Sequence, residues 1–241
     1  MGFQRGKSDQ LDAERIAQYA YRFKEKAQLW VPERSVIRKL KGLVCIRERL
    51  IKSKDSLSKP LKEYQKFMPA DYKMFKKSCK ESLESLEKNI KGVEKQLQEL
   101  IDSAEKVKHQ YTIATSVKGI GPVTACQLIL CRGEFTKMPT GKQFACYAGV
   151  VPFDYSSGTS VRGRAKVSPW VPKKLKKYLP MAALSALQVE GELKAYYHSQ
   201  LAKGKHKLSV INAVRNKLIL RVCACIRANQ LYDPQYMYQA A

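Results

Sequence analysis

A long repeat of apolar residues constrains the fold of this chain more than any other feature. Between residues 83 and 107 the apolar positions recur alternately three and four residues apart. They are Leu83, Leu86, Ile90, Val93, Leu97, Leu100, Ala104 and Val107. Heptad spacing places all of these side chains along one stripe of an α-helix, which must be buried against another helix. The segment therefore predicts one arm of a coiled coil. Gly92 is a weak point in it, because glycine destabilises a helix interior by about 1 kcal/mol relative to alanine.

A second, less regular stripe precedes the first. Its apolar positions are Val36, Leu40, Leu43, Leu50, Leu57 and Leu61, and the basic residues Arg47 and Lys54 occupy two of the seam positions. Residues 66–71 contain a proline and predict the bend between the two arms. The arms fold back on one another within one chain, or they pair with a second chain. We expect long antiparallel coiled-coil arms and a homo-oligomer that forms through them.

The charge of the chain indicates a polyanionic partner. Lys and Arg number 45 against 21 Asp and Glu, which gives a formal net charge of +24. Such an excess destabilises a compact state by self-repulsion, and a nucleic acid would neutralise it. The sequence contains no apolar run long enough for a transmembrane helix, and its first fifteen residues are polar. The seven cysteines are scattered without a Cys-x-x-Cys pair, which argues against a zinc site or a disulfide framework and favours a cytoplasmic protein.

Near residue 111 the sequence changes from charged heptads to short apolar segments that contain glycine. Gly119 and Gly121 lie between two helical patterns, as in a helix-hairpin-helix, whose exposed backbone N–H groups suit a DNA phosphate. Lys118 and Thr124 beside the turn favour that interpretation; the alternative is a tight turn that needs glycine for a positive φ. We predict a mainly α fold in three parts, residues 1–30, 31–110 and 111–241.

The segment from residue 148 to 158 carries the candidate chemistry. Ala148-Gly149-Val150-Val151-Pro152 is followed by Ser156-Ser157-Gly158, so a small-residue turn presents a hydroxyl group. Cations follow at Arg162, Arg164, Lys166, Lys173, Lys174, Lys176 and Lys177. A nucleophile on a permissive turn with positive charge nearby is what phosphate chemistry on nucleic acid requires. The alternative is a Ser-Gly loop ahead of a solvated basic helix.

Four ordered motifs resemble one family. They are Gly119-Ile120-Gly121-Pro122, Phe144 to Pro152, Ser157-Gly158, and Asn212-Ala213-Val214-Arg215-Asn216-Lys217-Leu218-Ile219. Over roughly residues 110–235 the chain is similar to the insertion-sequence-110/1111-type transposases, the bacterial DEDD enzymes whose better-known members are guided by a bridge RNA. The resemblance implies a DNA recombinase whose C-terminal serine joins covalently to DNA. It implies Ser157 rather than Ser156, because Ser157 directly precedes Gly158, and it implies that Arg162, Arg164 and Lys166 hold the scissile backbone.

The family also has an N-terminal RNase H-like domain in which four acidic residues hold divalent metal. The last two lie in a Lys-x-Asp-x-x-Asp-Ala segment that Lys7 to Ala13 matches. The resemblance thus implies that Asp9 and Asp12 are ligands of Mg²⁺, which prefers hard oxygen ligands. The residues alone favour a simpler role, in which Asp9 caps a helix and Asp12 complements its dipole.

Two departures from the family pattern limit these expectations. Met1 stands only six residues ahead of Lys7, so we expect a truncated chain that keeps the last helix of the RNase H-like domain. Such a chain would bind nucleic acid without transposing unaided. Secondly, Pro169 and Pro172 lie where many family members carry a Lys-Arg-Gly-Asn-type turn. The alternative functions are a non-catalytic DNA- or RNA-binding module and a structural dimerisation protein.

Overall fold

A computed structural model describes residues 8–26, 32–135, 140–157 and 161–234; at positions 156, 157, 161, 162 and 164 it describes the backbone alone. Within these ranges the chain is mainly α-helical, as predicted. The helices are α1 (Asp9–Arg22), α2 (Ser35–Phe67), α3 (Pro69–Asp102), α4 (Glu105–Ser116), α5 (Pro122–Cys131), α6 (Gly141–Tyr147), α7 (Lys173–Gln188), α8 (Glu192–Ala202) and α9 (Lys207–Ala228). No helix in the described ranges is long and apolar enough to span a membrane.

Among the described residues, a two-stranded antiparallel sheet is an element that was not predicted. It consists of β1 (Pro152–Ser157) and β2 (Val161–Val167). In β1, Phe153 and Tyr155 alternate with polar residues, and in β2 the basic residues at positions 162, 164 and 166 alternate with apolar residues and glycine. Alternation with a period of two is a signal for a strand, and the prediction overlooked it.

The chain divides into two compact units, Met1–Arg34 and Ser35–Ala241. The first contains α1, which begins where the side chain of Ser8 accepts a hydrogen bond from the backbone N–H of Leu11 at 3.3 Å. Ser8 is thus the N-cap, and the alternative in which Asp9 caps the helix is wrong. Asp9 and Asp12 lie in the first turn, where carboxylates complement the helix dipole. That this unit is the remnant of an RNase H-like domain stays a prediction.

The second unit begins with a helical hairpin made of α2 and α3. The helices are separated by Met68 alone, and Pro69 begins α3 at the position where proline is best tolerated. Arg47 pairs with Glu94 and Lys54 with Glu87, each ion pair at 2.7 Å. The partner's number falls as the number along α2 rises, so the two helices are antiparallel within one chain. The basic interruptions of the first stripe are therefore paired across the hairpin.

Burial along the predicted seam is uneven. Leu97 and Ile101 at the end of α3 are buried with Ile37, Leu40 and Val44 at the beginning of α2. Leu83, Leu86, Ile90 and Val93 are only half-buried. The stripe then leaves α3, which ends at Asp102, and its last two positions are buried at the start of α4. The α3 side chains of the helical hairpin are therefore buried at its base and less buried towards Met68.

Helices α4 to α9 form a second hydrophobic core in the same unit. Its fully buried side chains include Phe144, Leu175, Leu179, Val214 and Leu218. Helix α9 contacts α4, α6, α7 and α8, so it lies at the centre of this part of the chain. The division that we predicted at residue 111 falls within α4, and it stays a prediction.

Glu48 on α2 ties the helical hairpin to this second core. Its carboxylate accepts hydrogen bonds from the Tyr178 hydroxyl at 2.8 Å and from Gln127 Nε2 at 3.5 Å, and it lies 3.4 Å from Lys174 Nζ. Burial, together with the hydrogen bond and charge of Glu48, raises the pKa of Tyr178 to about 12. One carboxylate thus connects α2, α5 and α7.

Candidate nucleic-acid interface and serine hairpin

The candidate nucleophile lies at the tip of the two-stranded sheet. Ser157 is the last residue of β1 and faces Val161, while Ser156 faces Arg162. The register shifts by one residue between Phe153 and Tyr155, because β2 has an extra residue there. Gly158, which directly follows the serine, lies outside the described residues. The sheet therefore holds the backbone of Ser157 at the point where the chain reverses.

The base of this β-hairpin is built by the Ala-Gly-Val-Val-Pro segment. Helix α6 ends in a turn where the N–H of Gly149 donates to Cys146 O at 3.0 Å and that of Val150 to Ala145 O at 3.1 Å. Gly149 has a φ of +64°, and a Cβ there would lie 2.2 Å from Val171 Cγ2. Glycine is needed for both reasons, the backbone conformation and the close approach.

Asn212 on α9 fixes the start of the β-hairpin. Its Nδ2 donates to the carbonyl oxygen of Val150 at 2.8 Å, and its Oδ1 accepts from Arg215 Nη1 at 3.1 Å. The remaining Nε of Arg215 and Oδ1 of Asn216 are buried and find no hydrogen-bond partner among the described residues. Burial lowers the pKa of Arg215. Arg215 and Asn216 therefore have unused hydrogen-bonding capacity close to the segment that leads into β1.

Asn212, Arg215 and Asn216 lie in one of the family motifs, but no role was predicted for them. A signal was present, because Asn212, Arg215 and Asn216 are spaced three and four residues apart and so share one face of a helix that is otherwise rich in apolar residues. Polar residues at core-facing positions need hydrogen-bond partners. That reasoning would have predicted an anchoring or binding role.

The two glycines of the Gly-Ile-Gly turn differ in their surroundings. Gly119 has a φ of +95°, and a Cβ there would lie 2.5 Å from Ala186 Cβ and 2.7 Å from Ala182 O on α7. Gly121 is the N-cap of α5, and a Cβ there would meet no atom of the described residues within 4 Å. Gly119 therefore serves helix packing, whereas Gly121 lies in the open.

Residues around this turn present backbone N–H groups. No side chain of the described residues caps α5, so its first N–H groups are left for another acceptor. Lys118 is exposed beside the turn, but Thr124 is buried, with 8% of its surface exposed. Backbone groups and Lys118 are therefore better placed for a phosphate than the Thr124 hydroxyl.

Two of the seven cations predicted downstream of the serines, Lys176 and Lys177, are exposed on α7, and the other five fall into three groups. Lys166 and Lys173 are exposed and carry no ion pair among the described residues. Lys174 is half-buried and is paired with Glu48 at 3.4 Å. Arg162 and Arg164 lie in β2, on the strand opposite the serines. The first and third groups are thus in or next to the β-hairpin, while Lys174 is partly neutralised.

The candidate metal ligands lie in the other unit of the chain. Asp9 and Asp12 are three residues apart in the first turn of α1, and Asp12 is 3.5 Å from Arg15 Nη1. In the described part of the chain no three His, Cys, Asp or Glu side chains come together in a way that could hold a metal ion. The structure therefore brings the two carboxylates together on one helical turn and adds no third ligand of these types.

The cysteines show no sign of redox or metal chemistry in the described ranges. All seven are free thiols. Burial raises the pKa of Cys126 and of Cys223 to about 11 in each case, so both stay protonated and unreactive at neutral pH. Cys126 and Cys223 are packed into the two hydrophobic cores.

Residues 111–198 match the family described as Transposase IS116/IS110/IS902. A pilin gene-inverting protein of Moraxella bovis is 26% identical over 237 residues, which are 95% of this chain and 69% of that protein. The insertion element IS110 uncharacterized 43.6 kDa protein of Streptomyces coelicolor is 27% identical over 158 residues, 65% of this chain and 37% of its own length. A probable family 20 transposase of Pseudomonas aeruginosa is 30% identical over 95 residues, 39% of this chain and 27% of its own length.

Proposed function

We propose that this chain, which is similar to the IS116/IS110/IS902 transposases over residues 111–198, is a DNA strand-transfer recombinase whose nucleophile is Ser157. The observation that carries the proposal is the position of Ser157 at the tip of a β-hairpin whose base is fixed by the hydrogen bond from Asn212 to Val150. A nucleophile must be held within reach of the scissile phosphate, and a hairpin tip on an anchored base holds its backbone in place.

The proposed step is a transesterification. The Oγ of Ser157 attacks phosphorus, a serine–phosphate ester forms, and the P–O3′ bond breaks. The electron pair remains on O3′, which takes up a proton and leaves as a free 3′ hydroxyl, while the serine proton passes to solvent or to a base. The released hydroxyl can then attack the ester of another strand, which exchanges the strands and restores the serine.

The cations around the β-hairpin supply the binding that this step needs. Three of them, Arg162, Arg164 and Lys166, lie in β2 and are close in sequence to Ser157. Arginine binds phosphate oxygens in a bidentate manner. Lys173 at the start of α7 extends the positive charge. Lys118 and the N–H groups near Gly121 would hold a second phosphate of the same DNA. Gly119 contributes by letting the turn approach α7.

Mg²⁺ is the cofactor that the family implies, and Asp9 and Asp12 would hold it. Two carboxylates in one helical turn fit part of an octahedral magnesium shell, which commonly uses one or two carboxylates together with water and phosphate oxygens. Arg15 competes for Asp12. If bound there, such an ion would supply positive charge that stabilises a phosphate oxygen.

A structured guide RNA is the further partner that the resemblance implies. The net charge of +24 would serve RNA as well as DNA. The homo-oligomer is a separate part of the proposal. The apolar seam of α3 packs against α2 of the same chain, so an oligomer would have to use the half-buried outer part of the helical hairpin around Leu83 and Leu86.

The test is a search for a covalent protein–DNA product. The purified chain is incubated with Mg²⁺, end-labelled DNA from the ends of its element and a transcript of the flanking sequence, and the products are separated on a denaturing gel. If the chain performs this step, a labelled adduct forms that Ser157→Ala abolishes. No adduct, together with a salt-sensitive mobility shift, would instead match the expectation that this chain binds nucleic acid without transposing unaided. The matched control is Ser156→Ala, one residue away in the same strand, which should retain the adduct. An adduct that persists in Ser157→Ala would refute the assignment of the nucleophile.

A non-catalytic nucleic-acid-binding module is the second candidate function, favoured by the exposed cations and by the lack of a third metal ligand in the described residues. It predicts no adduct under any condition but a mobility shift that weakens steeply as salt rises. Lys166→Ala and Lys173→Ala should then each lower the slope of log affinity against log salt by about 1.

A further inference from the structure

Three aromatic side chains are exposed in and beside the β-hairpin that carries Ser157. Phe153 is 49% exposed, Tyr155 is 66% exposed and Trp170 is 91% exposed. Phe153 and Tyr155 are two residues apart in β1 and therefore lie on the same face of the strand. Trp170 follows the end of β2 by three residues, at the end of the β-hairpin where Pro152 faces Val167.

The ring of Tyr155 is held in place by the opposite strand. Tyr155 faces Gly163, and a Cβ at Gly163 would lie 2.5 Å from Tyr155 Cδ1. The ring therefore lies across the glycine, which supports one side of it and leaves most of its surface in solvent. An aromatic side chain that is both held and exposed loses little entropy when a flat ligand stacks on it.

The charge next to these rings identifies the ligand class. Lys166 faces Phe153 across the sheet and is exposed, and Lys173 follows Trp170 by three residues. Aromatic rings interleaved with cations bind single-stranded nucleic acid, since the cations hold the phosphates and each base has a flat face that can stack. The bases of an intact duplex are already stacked on one another and cannot use such a surface.

We propose that Phe153, Tyr155 and Trp170 form a stacking platform that binds unpaired bases of a DNA strand along the β-hairpin that carries Ser157. The platform specifies unpaired rather than duplex DNA at this hairpin, and in that respect it extends the proposed function. Stacking does not require the Ser157 hydroxyl, so the platform and the assignment of the nucleophile can fail separately. The platform holds an opened strand, rather than a closed duplex, on the hairpin that carries the nucleophile.

The two tryptophans of the chain, Trp30 and Trp170, make the platform measurable. In a Trp30→Phe variant the remaining fluorescence reports on Trp170. We expect oligo(dT) to quench it, and an abasic strand of the same length and charge to leave it unchanged even where it binds. Equal quenching by the abasic strand or by a duplex of the same length would overturn the proposal, as would an affinity for oligo(U) more than about tenfold above that for oligo(dT).

Substitutions then test the other two rings. Phe153→Ala and Tyr155→Ala should each weaken oligo(dT) binding about five- to a hundredfold, with binding of the abasic strand unchanged. The matched control is Phe67→Ala, which removes a ring that is 72% exposed at the end of α2. Unchanged oligo(dT) affinity in both hairpin variants would refute the platform. Ser157→Ala should bind oligo(dT) normally, which separates this result from the adduct assay.

Discussion

Replacing Gly119 with alanine is the sharpest test of how the helical domain is assembled. The glycine connects α4 to α5 and lies against α7, where an added Cβ would be 2.5 Å from Ala186 Cβ and 2.7 Å from Ala182 O. Real Cβ atoms are not found at such distances, and the carbonyl oxygen belongs to a helix backbone that cannot rotate away. Either α7 or the turn must therefore move.

Two separate costs make up the expected effect. A non-glycine residue at a φ of +95° costs about 1–3 kcal/mol in backbone strain. Inserting a methyl group into a packed contact costs about 1–3 kcal/mol more. We therefore expect Gly119→Ala to lower the free energy of unfolding by about 2–6 kcal/mol, which is a large part of the about 5–15 kcal/mol that is usual for a domain.

Urea unfolding followed by circular dichroism measures this loss, and Gly121→Ala is the matched control two residues away. At Gly121 the φ is −81° and a Cβ would meet no atom of the described residues within 4 Å. Its loss should be below about 1 kcal/mol, the cost of a poorer N-cap. Equal effects of the two substitutions would refute the assignment of Gly119 to packing and Gly121 to an open surface.

Three further predictions follow from particular contacts. Gly92→Ala should stabilise the chain by about 1 kcal/mol in the same unfolding experiment, because the site is helical and a Cβ there would meet no described atom within 4 Å; a loss of stability would contradict this. Glu48→Gln should lower the pKa of Tyr178 from about 12 while leaving it above 10, since burial is the larger cause and remains; a difference titration against Tyr178→Phe measures it. Because the folded-state pKa of Tyr178 is raised, its contribution to stability is present below pH 10 and is lost as the pH rises towards 12, a window that should narrow in Glu48→Gln. Cys126 and Cys223, whose pKa burial raises to about 11, should resist a thiol reagent at pH 8 until the chain is unfolded in urea; rapid labelling of the folded chain would show that they are accessible.

Periodicity accounts for the parts of the fold that the sequence predicted well. The two apolar stripes and the proline between them predicted α2, α3 and the break at Met68. They did not predict that Arg47 and Lys54 have acidic partners on α3, because the alignment of two helices depends on which residues meet across them. Helix α3 ends earlier than the apolar pattern, at Asp102, but the last two apolar positions are still buried in the same cluster as the base of the helical hairpin.

The candidate site was less accessible to such reasoning. The motif around Ser157 indicated a turn with a hydroxyl group, and the alternating residues of β1 and β2 were a signal for the two-stranded sheet that the prediction overlooked. The position of this sheet depends on Asn212, which is 62 residues from Val150 in sequence, and no local property of either residue predicts their hydrogen bond. The rings of Phe153, Tyr155 and Trp170 indicated a binding surface only once their exposure to solvent was known.

The sequence by itself determined what depends on neighbouring residues: the helical periodicity, the excess of positive charge, and the motifs that make residues 111–198 similar to the IS116/IS110/IS902 transposases. The tertiary structure decided what depends on distant residues. It showed that the hairpin arms pair within one chain, that Gly119 and Gly121 have different surroundings, and that α9 holds the base of the serine hairpin. The physical reason is that propensity and spacing act within a few residues, whereas close approaches and buried hydrogen bonds exist only after remote segments have packed together.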